Sequence, residues 1–329
     1  MKYAIFSDLH LGNNKNNPIF HDISLKYAEW VKNKLIEKNI TNIIICGDVF
    51  HDRVSLNLTT IDCSYKFFEI LKNFNIQIIC GNHDAWFLDN SSIHSLSLFK
   101  NWHNITIYDT PTLNGDFFFS PWGTDPSQIR QSKFIISHVE VSSFEMAKNK
   151  ICDHGIKAKD LVDKADKLFI SGHFHKPQGR KYGDKIFLYT GSAFQLSWGE
   201  SGDDKFFYIL DTETCKIEKI KNTVSPRFEY IKTEKDFDKI SNNFISVQIE
   251  NNEEGEKLLS KIAAFNPIDI KSQIIEQDIT KTTEDLSDFK VIDIEELIPE
   301  FINNLENLSM NEKEETIKLL NNIYKDCKL

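Results

Sequence analysis

Short apolar runs alternate along this chain with longer stretches whose apolar residues recur every three or four positions. KYAIFS, TNIIIC and IQIIC, beginning at residues 2, 41 and 76, read as buried strands, because unbroken β-branched runs of this length suit a sheet covered on both faces. Residues 22–38 and 59–74 between them carry helical spacing, so the first part predicts β-α-β-α-β and an α/β sheet. DFFFSPW, KFIISH, KLFISG and KIFLYTG predict further strands, and KFFYILDTETCKIEKI a hairpin turning on Asp-Thr-Glu-Thr. Beyond Pro226, the strands FEYIK, NFISVQIE and DIKSQIIEQ and the helix EEGEKLLSKIAAF predict a compact α+β unit of about 55 residues, small enough to need a neighbour to pack against. DITKTTEDLSDFK reads as a polar linker. IEELIPEFINNLENL and NEKEETIKLLNNIY then read as two amphipathic helices, the second opened by a capping box of Ser309 and Glu312. The expected divisions are 1–225, 226–280 and 281–329.

Five apolar runs end in polar clusters: Asp8-Leu9-His10, Gly47-Asp48, Gly81-Asn82-His83-Asp84, Ser137-His138 and Gly172-His173-Phe174-His175. Carboxyl ends of strands line the ligand crevice of an open α/β sheet, so these clusters can converge on one rim. Oxygen and imidazole donors without thiolates suit Mn, Fe or Zn better than Ca, and there are too many for one ion. Two metals about 3.5–4 Å apart are the economical inference.

Composition narrows the setting. A chain of 329 residues predicts one large domain with one or two smaller ones. No apolar run approaches the roughly 20 residues that span a bilayer, and the amino terminus is too short for a signal peptide, so no membrane segment and a cytoplasmic location are expected. Six cysteines without C-x-x-C spacing predict reduced thiols. The net charge of −10 is uneven: residues 226–329 carry 13 basic and 23 acidic side chains, whereas residues 1–225 carry 26 of each. The acidic tail disfavours direct contact with DNA and suits a basic protein partner.

In this order, D-x-H, GD, GNHD, H and GHxH resemble the motifs of the calcineurin-like metallophosphoesterases. GDVFHDR and the tail resemble the SbcD-type DNA double-strand-break repair nucleases, including the recombination endonuclease subunits of large phages. The resemblance implies a four-layer αββα sandwich with a small α+β capping domain and a C-terminal helical pair. It implies two divalent ions, with Mn²⁺ expected: Asp8, His10, Asp48 and His175 around one, Asp48, Asn82, His138 and His173 around the other, and Asp48 bridging. His83 then contacts the phosphate or protonates the leaving oxygen, and His51 faces the substrate, unless it is simply a polar loop residue. Asp84 would either orient His83 or cap the following turn.

The implied reaction is hydrolysis of DNA phosphodiesters, exonucleolytic and endonucleolytic, by a water that two metals activate. The implied partners are DNA, an SbcC-type coiled-coil ATPase docked on the C-terminal helices, and a second copy of the chain. Helices near 59–74 and 91–102 are candidates for that homodimer surface, and Lys176, Arg180 and Lys181 for a DNA-side loop. A phosphoprotein phosphatase would carry GDxVDRG and GNHE, which this chain lacks. A phosphodiesterase of cyclic nucleotides or dinucleotides stays open but needs neither cap nor tail, and a non-catalytic scaffold would not need every ligand position kept.

Overall fold

The computed structural model describes residues 1–275, 299, 302–303 and 310–327. The chain divides into a compact unit of residues 1–275 and a second of residues 276–329.

In the first unit β1 (Lys2–Phe6), β2 (Asn42–Ile45), β3 (Asn75–Ile79) and β4 (Ile105–Tyr108) pair in parallel. They are followed by β5 (Thr112–Asn114), β6 (Phe117–Ser120), β7 (Ser132–His138), and the small hairpin of β8 (Glu145–Ala147) and β9 (Lys150–Ile151). Then come β10 (Ala165–Gly172), β11 (Gln178–Tyr182), β12 (Lys185–Tyr189), β13 (Phe206–Asp211) and β14 (Lys216–Lys221). Apart from the β8–β9 hairpin, these strands build two six-stranded sheets, ordered β14-β13-β1-β2-β3-β4 and β11-β12-β10-β7-β6-β5.

Side-chain alternation stacks the layers. Ile5, Ile44 and Ile79 of the first sheet share a core with Phe119, Phe134, Ile136, Leu168 and Ile170 of the second. Ala4, Phe6, Ile43, Ile45, Ile76 and Ile78 face the other way, onto the helices Pro18–Glu37 and Leu58–Ile70. The outer face of the second sheet is covered more thinly, by the five-residue helix Ala158–Val162 and the loop holding Val141, Phe144 and Cys152. The result is the four-layer αββα sandwich.

Helix Pro18–Glu37 starts before the expected residue 22 because Asn17 caps it, accepting from the Ile19 N–H at 2.9 Å, and Pro18 occupies the first turn. Its buried stripe of Phe20, Ile23, Tyr27, Val31 and Leu35 keeps helical spacing. The expected helix at 91–102 is instead a short 3₁₀ turn, Ser95–Phe99: only Leu96 and Phe99 of that turn are buried, too few for a helical stripe. The loop expected at Lys176–Lys181 is largely the edge strand β11. There Arg180 lies 4.3 Å from the Phe144 ring and donates to the Ser143 carbonyl, while Lys176 pairs with Glu145.

β15 (Phe228–Ile231), β16 (Phe244–Glu250) and β17 (Asp269–Ile275) form a parallel three-stranded sheet, with helix Glu253–Ala263 crossing from β16 to β17. Ile231, Ile240, Ile245, Val247, Ile249 and Ile262 make its own small core. The open end of this core is closed by the larger domain. Phe244 stacks on Phe20 at 5.5 Å and on Phe228 at 4.7 Å, and Trp198 meets Phe228 edge-on at 4.9 Å.

In the second unit, Met310–Cys327 is helical. The expected first helix of the tail and Ser309 of its capping box lie outside the described residues, apart from positions 299, 302 and 303. No described helix is long and apolar enough to cross a membrane.

The aromatic seam predicts a stability effect. Phe244→Ala, at a position only 6% exposed, should cost about 3–5 kcal/mol in denaturant unfolding of the chain, as deletion of a buried aromatic does. A loss under about 1 kcal/mol would show that the stacked rings contribute little.

Candidate metal centre

The polar clusters converge because the strand ends bend sharply just past the sheets. Asp8, His10, Asp48 and His173 have positive φ, at 53°, 46°, 54° and 93°. Left-handed backbone costs a residue with a Cβ about 1–2 kcal/mol, so packing around the site has to hold it. Two glycines supply the room. A Cβ on Gly81 would be driven into the Asp48 carboxylate and backbone nitrogen, and one on Gly47 would meet the His138 ring nitrogen at 2.5 Å. The apolar run of β3 and Cys80 therefore stops at Gly81 so that Asp48 can lie against it.

All seven residues expected as metal ligands meet there. Asp48 Oδ2 lies 3.6 Å from His10 Nε2 and 3.4 Å from His138 Nε2. On one side, His10 Nε2 is 3.0 Å from His175 Nε2 and 4.0 Å from Asp8 Oδ1. On the other, Asn82 Oδ1 lies 2.8 Å from His138 Nε2 and 2.9 Å from His173 Nδ1. The His173 N–H donates to Asp8 at 3.1 Å, tying the two sides together.

The chemistry of these donors fits a cation. His138 Nδ1 donates to the Cys46 carbonyl at 2.7 Å, so its Nε2 faces the oxygens of Asn82 and Asp48. Without a metal only a second proton makes that attractive. Burial alone would lower the His138 pKa, yet Asp48 pulls it up to about 9. A divalent ion held by these donors would take the place of that proton. Burial would likewise raise Asp48, but His138 and His10 hold it far below the usual carboxylate range. Burial and His138 push the His173 pKa down to about 3, which keeps its ring neutral.

His83 and His51 stand at the rim. The His83 N–H donates to Asp48 Oδ1 at 2.8 Å, its Nδ1 lies 2.6 Å from the His51 carbonyl, and the two rings stack at 5.5 Å. Asp84 does neither of the things expected of it. It is buried, and its carboxylate accepts from the backbone N–H of Phe50 at 3.0 Å, Val49 at 3.3 Å and Gly81 at 3.0 Å. Three unpaired loop donors outcompete the neighbouring imidazole for it, so Asp84 stitches the GD loop to the GNHD loop instead of orienting His83.

A model of the calcineurin-like phosphoesterase superfamily domain matches residues 1–215. The chain belongs to this superfamily. It is thus a phosphoesterase by family, and its carboxylate, amide and imidazole cluster is of the kind that binds metal. The chain is 25% identical to Exonuclease subunit 1 of Enterobacteria phage T4 over 356 aligned positions, covering 98% of each chain. Similar solved structures include a novel archaeal phosphodiesterase, at 21% identity and TM-score 0.39 over 68% of this chain and 100% of that one. Nuclease MPE of Pseudomonas putida is similar at 16% identity and TM-score 0.33, over 66% and 87%.

Sequence reasoning missed the support behind His175. Its Nδ1 lies 2.9 Å from Glu200 Oε1, and Glu200 Oε2 takes Lys205 Nζ at 2.6 Å and the Ser192 hydroxyl at 2.8 Å. Burial would raise Glu200, but His175 and Lys205 hold it at about 2, a charged partner that directs the His175 Nε2 lone pair into the site. No spacing rule links residue 175 to residue 200. Trp122 was also missed, its ring 5.3 Å from that of His173.

Glu200→Gln should weaken Mn²⁺ binding about 10–100-fold, read by titration calorimetry, since the partner of a ligating imidazole sets its basicity. Unchanged affinity would mean that His175 is not a ligand or needs no such partner.

Proposed function

We propose that this chain is a metal-dependent DNA nuclease, both exonucleolytic and endonucleolytic, working in a repair or recombination complex. The observation that carries the reading is the end-to-end alignment with the T4 exonuclease subunit. It takes in 98% of both chains and so extends well past the phosphoesterase domain that ends at residue 215. A small-molecule phosphodiesterase would need only that domain. The divisions 1–225, 226–280 and 281–329 become nuclease, cap and tail in this reading. The acidic tail is the docking element for a coiled-coil ATPase, and the nuclease domain pairs with a second copy.

In the centre, Asp8, His10, Asp48 and His175 hold one divalent ion and Asp48, Asn82, His138 and His173 the other, with Mn²⁺ as the metal. The bridging role of Asp48 is supported by its position between His10 and His138, at 3.6 and 3.4 Å. Bound there, two ions supply an activated water for in-line attack and offset the charge that develops on the phosphate. The protein's own contribution is positional. The His51 carbonyl takes the Nδ1–H of His83, so that in the imidazolium form the Nε2–H is the proton that passes to the leaving oxygen, leaving a neutral ring. The His83 backbone, tied to Asp48, keeps that donor in register with the metals.

The test is Mn²⁺-dependent degradation of end-labelled linear duplex DNA by the purified chain, with a cyclic nucleotide as competing substrate. Asp48→Asn should abolish cleavage and lower the bound metal from two ions; full activity in that variant would sink the two-metal reading. His83→Ala should keep both ions and lose about 100-fold or more in turnover, the contribution of a positioned general acid. Hydrolysis of the cyclic nucleotide without DNA cleavage would favour the small-molecule reading.

A further inference from the structure

The loop between β7 and β10 gathers a second set of ligand-type atoms that the centre above does not use. Glu140 Oε1 lies 2.5 Å from His154 Nε2 and 3.5 Å from the Cys152 sulfur. One donor atom from each of the three lies within 4.8 Å of the others.

Backbone pairing holds this cluster together. The Ile156 N–H donates to the Glu140 carbonyl at 3.1 Å, the Cys152 N–H to Phe144 at 2.8 Å and the Ser143 N–H to Cys152 at 2.6 Å, so both ends of the loop are clamped. Cys152 is 1% exposed and fixed in the outer core of the second sheet. His154 Nδ1 sits 2.8 Å from Asp153 Oδ1, which leaves Nε2 as the ligating nitrogen, the arrangement that orients an imidazole on a metal.

We propose that Glu140, Cys152 and His154 form a binding site for a borderline-soft divalent cation, Zn²⁺ or Co²⁺, with water as the fourth ligand. One sulfur, one nitrogen and one oxygen donor suit tetrahedral zinc. The charges also close: a carboxylate, a thiolate and a neutral imidazole leave a bound dication with no net charge. On binding, the thiol proton and any proton on Nε2 pass to solvent. The seven ligand candidates of the main centre include no sulfur, so the two sites differ in the metal they favour. Glu140 Oε2 lies 3.8 Å from His173 Nε2, so an ion on Oε1 fixes that carboxylate beside the main centre.

The test is titration of the full-length chain with Co²⁺, anaerobically and with a phosphine reductant, followed by absorption and by equilibrium dialysis. The expected result is a near-ultraviolet sulfur-to-cobalt charge-transfer band that saturates with one bound equivalent. Cys152→Ser and His154→Gln should each remove the band and that equivalent. The His154 side chain is 62% exposed, so its replacement serves even if the cysteine variant folds poorly. No band at saturating Co²⁺, or a band that survives His154→Gln, overturns the proposal.

Discussion

Burying a carboxylate costs several kcal/mol unless opposite charge and hydrogen bonds surround it, and Asp48 is 1% exposed where the ends of β1, β2, β3 and β7 meet. Its surroundings follow from that constraint. Two imidazoles approach one oxygen and the His83 N–H takes the other, while Gly81, lacking a Cβ, leaves the space that the carboxylate fills. The same crowding explains the left-handed backbone at Asp8, His10, Asp48 and His173. Each strand has to turn sharply enough to aim its side chain at a point it would otherwise pass, and the two packed sheets hold the strain.

The centre is also joined mechanically to the three-stranded subdomain. The segment that carries Ser192, Glu200 and Lys205, behind His175, also carries Gln195, whose side chain accepts from the Phe228 N–H at 2.7 Å. Asp204 in that segment pairs with Arg227 at 2.9 Å, and Trp198 packs on Phe228 and Tyr230. One stretch of chain thus props an imidazole on one side and anchors the subdomain on the other. Displacement of the subdomain would be felt at His175.

Much of the architecture was legible in the pattern of apolar positions. Parallel strands covered on both faces leave unbroken apolar runs, and a helix laid on a sheet leaves a stripe every three or four residues. β1, β2, β3, β7 and β10 and the two long helices therefore stand near where the sequence predicts them. Elements with one neighbour or one buried face left weaker traces. β5 and β11 are edge strands of mixed polarity, β4 is a short run of four, and Ser95–Phe99 buries too little to separate a 3₁₀ turn from a helix.

The candidate site divides in the same way. By itself the sequence determined which side chains end the strands, and so which donors reach the rim, because a residue's place after an apolar run follows from chain order alone. Only the tertiary structure decided what those donors face. Asp84 turned to the backbone N–H groups of Val49 and Phe50 as well as its neighbour Gly81, and His175 found Glu200, since proximity in space brings together groups far apart in the chain. The Glu140, Cys152 and His154 cluster has the same origin: Cys152 and His154 are neighbours in the chain, but Glu140 reaches them only where the loop folds back.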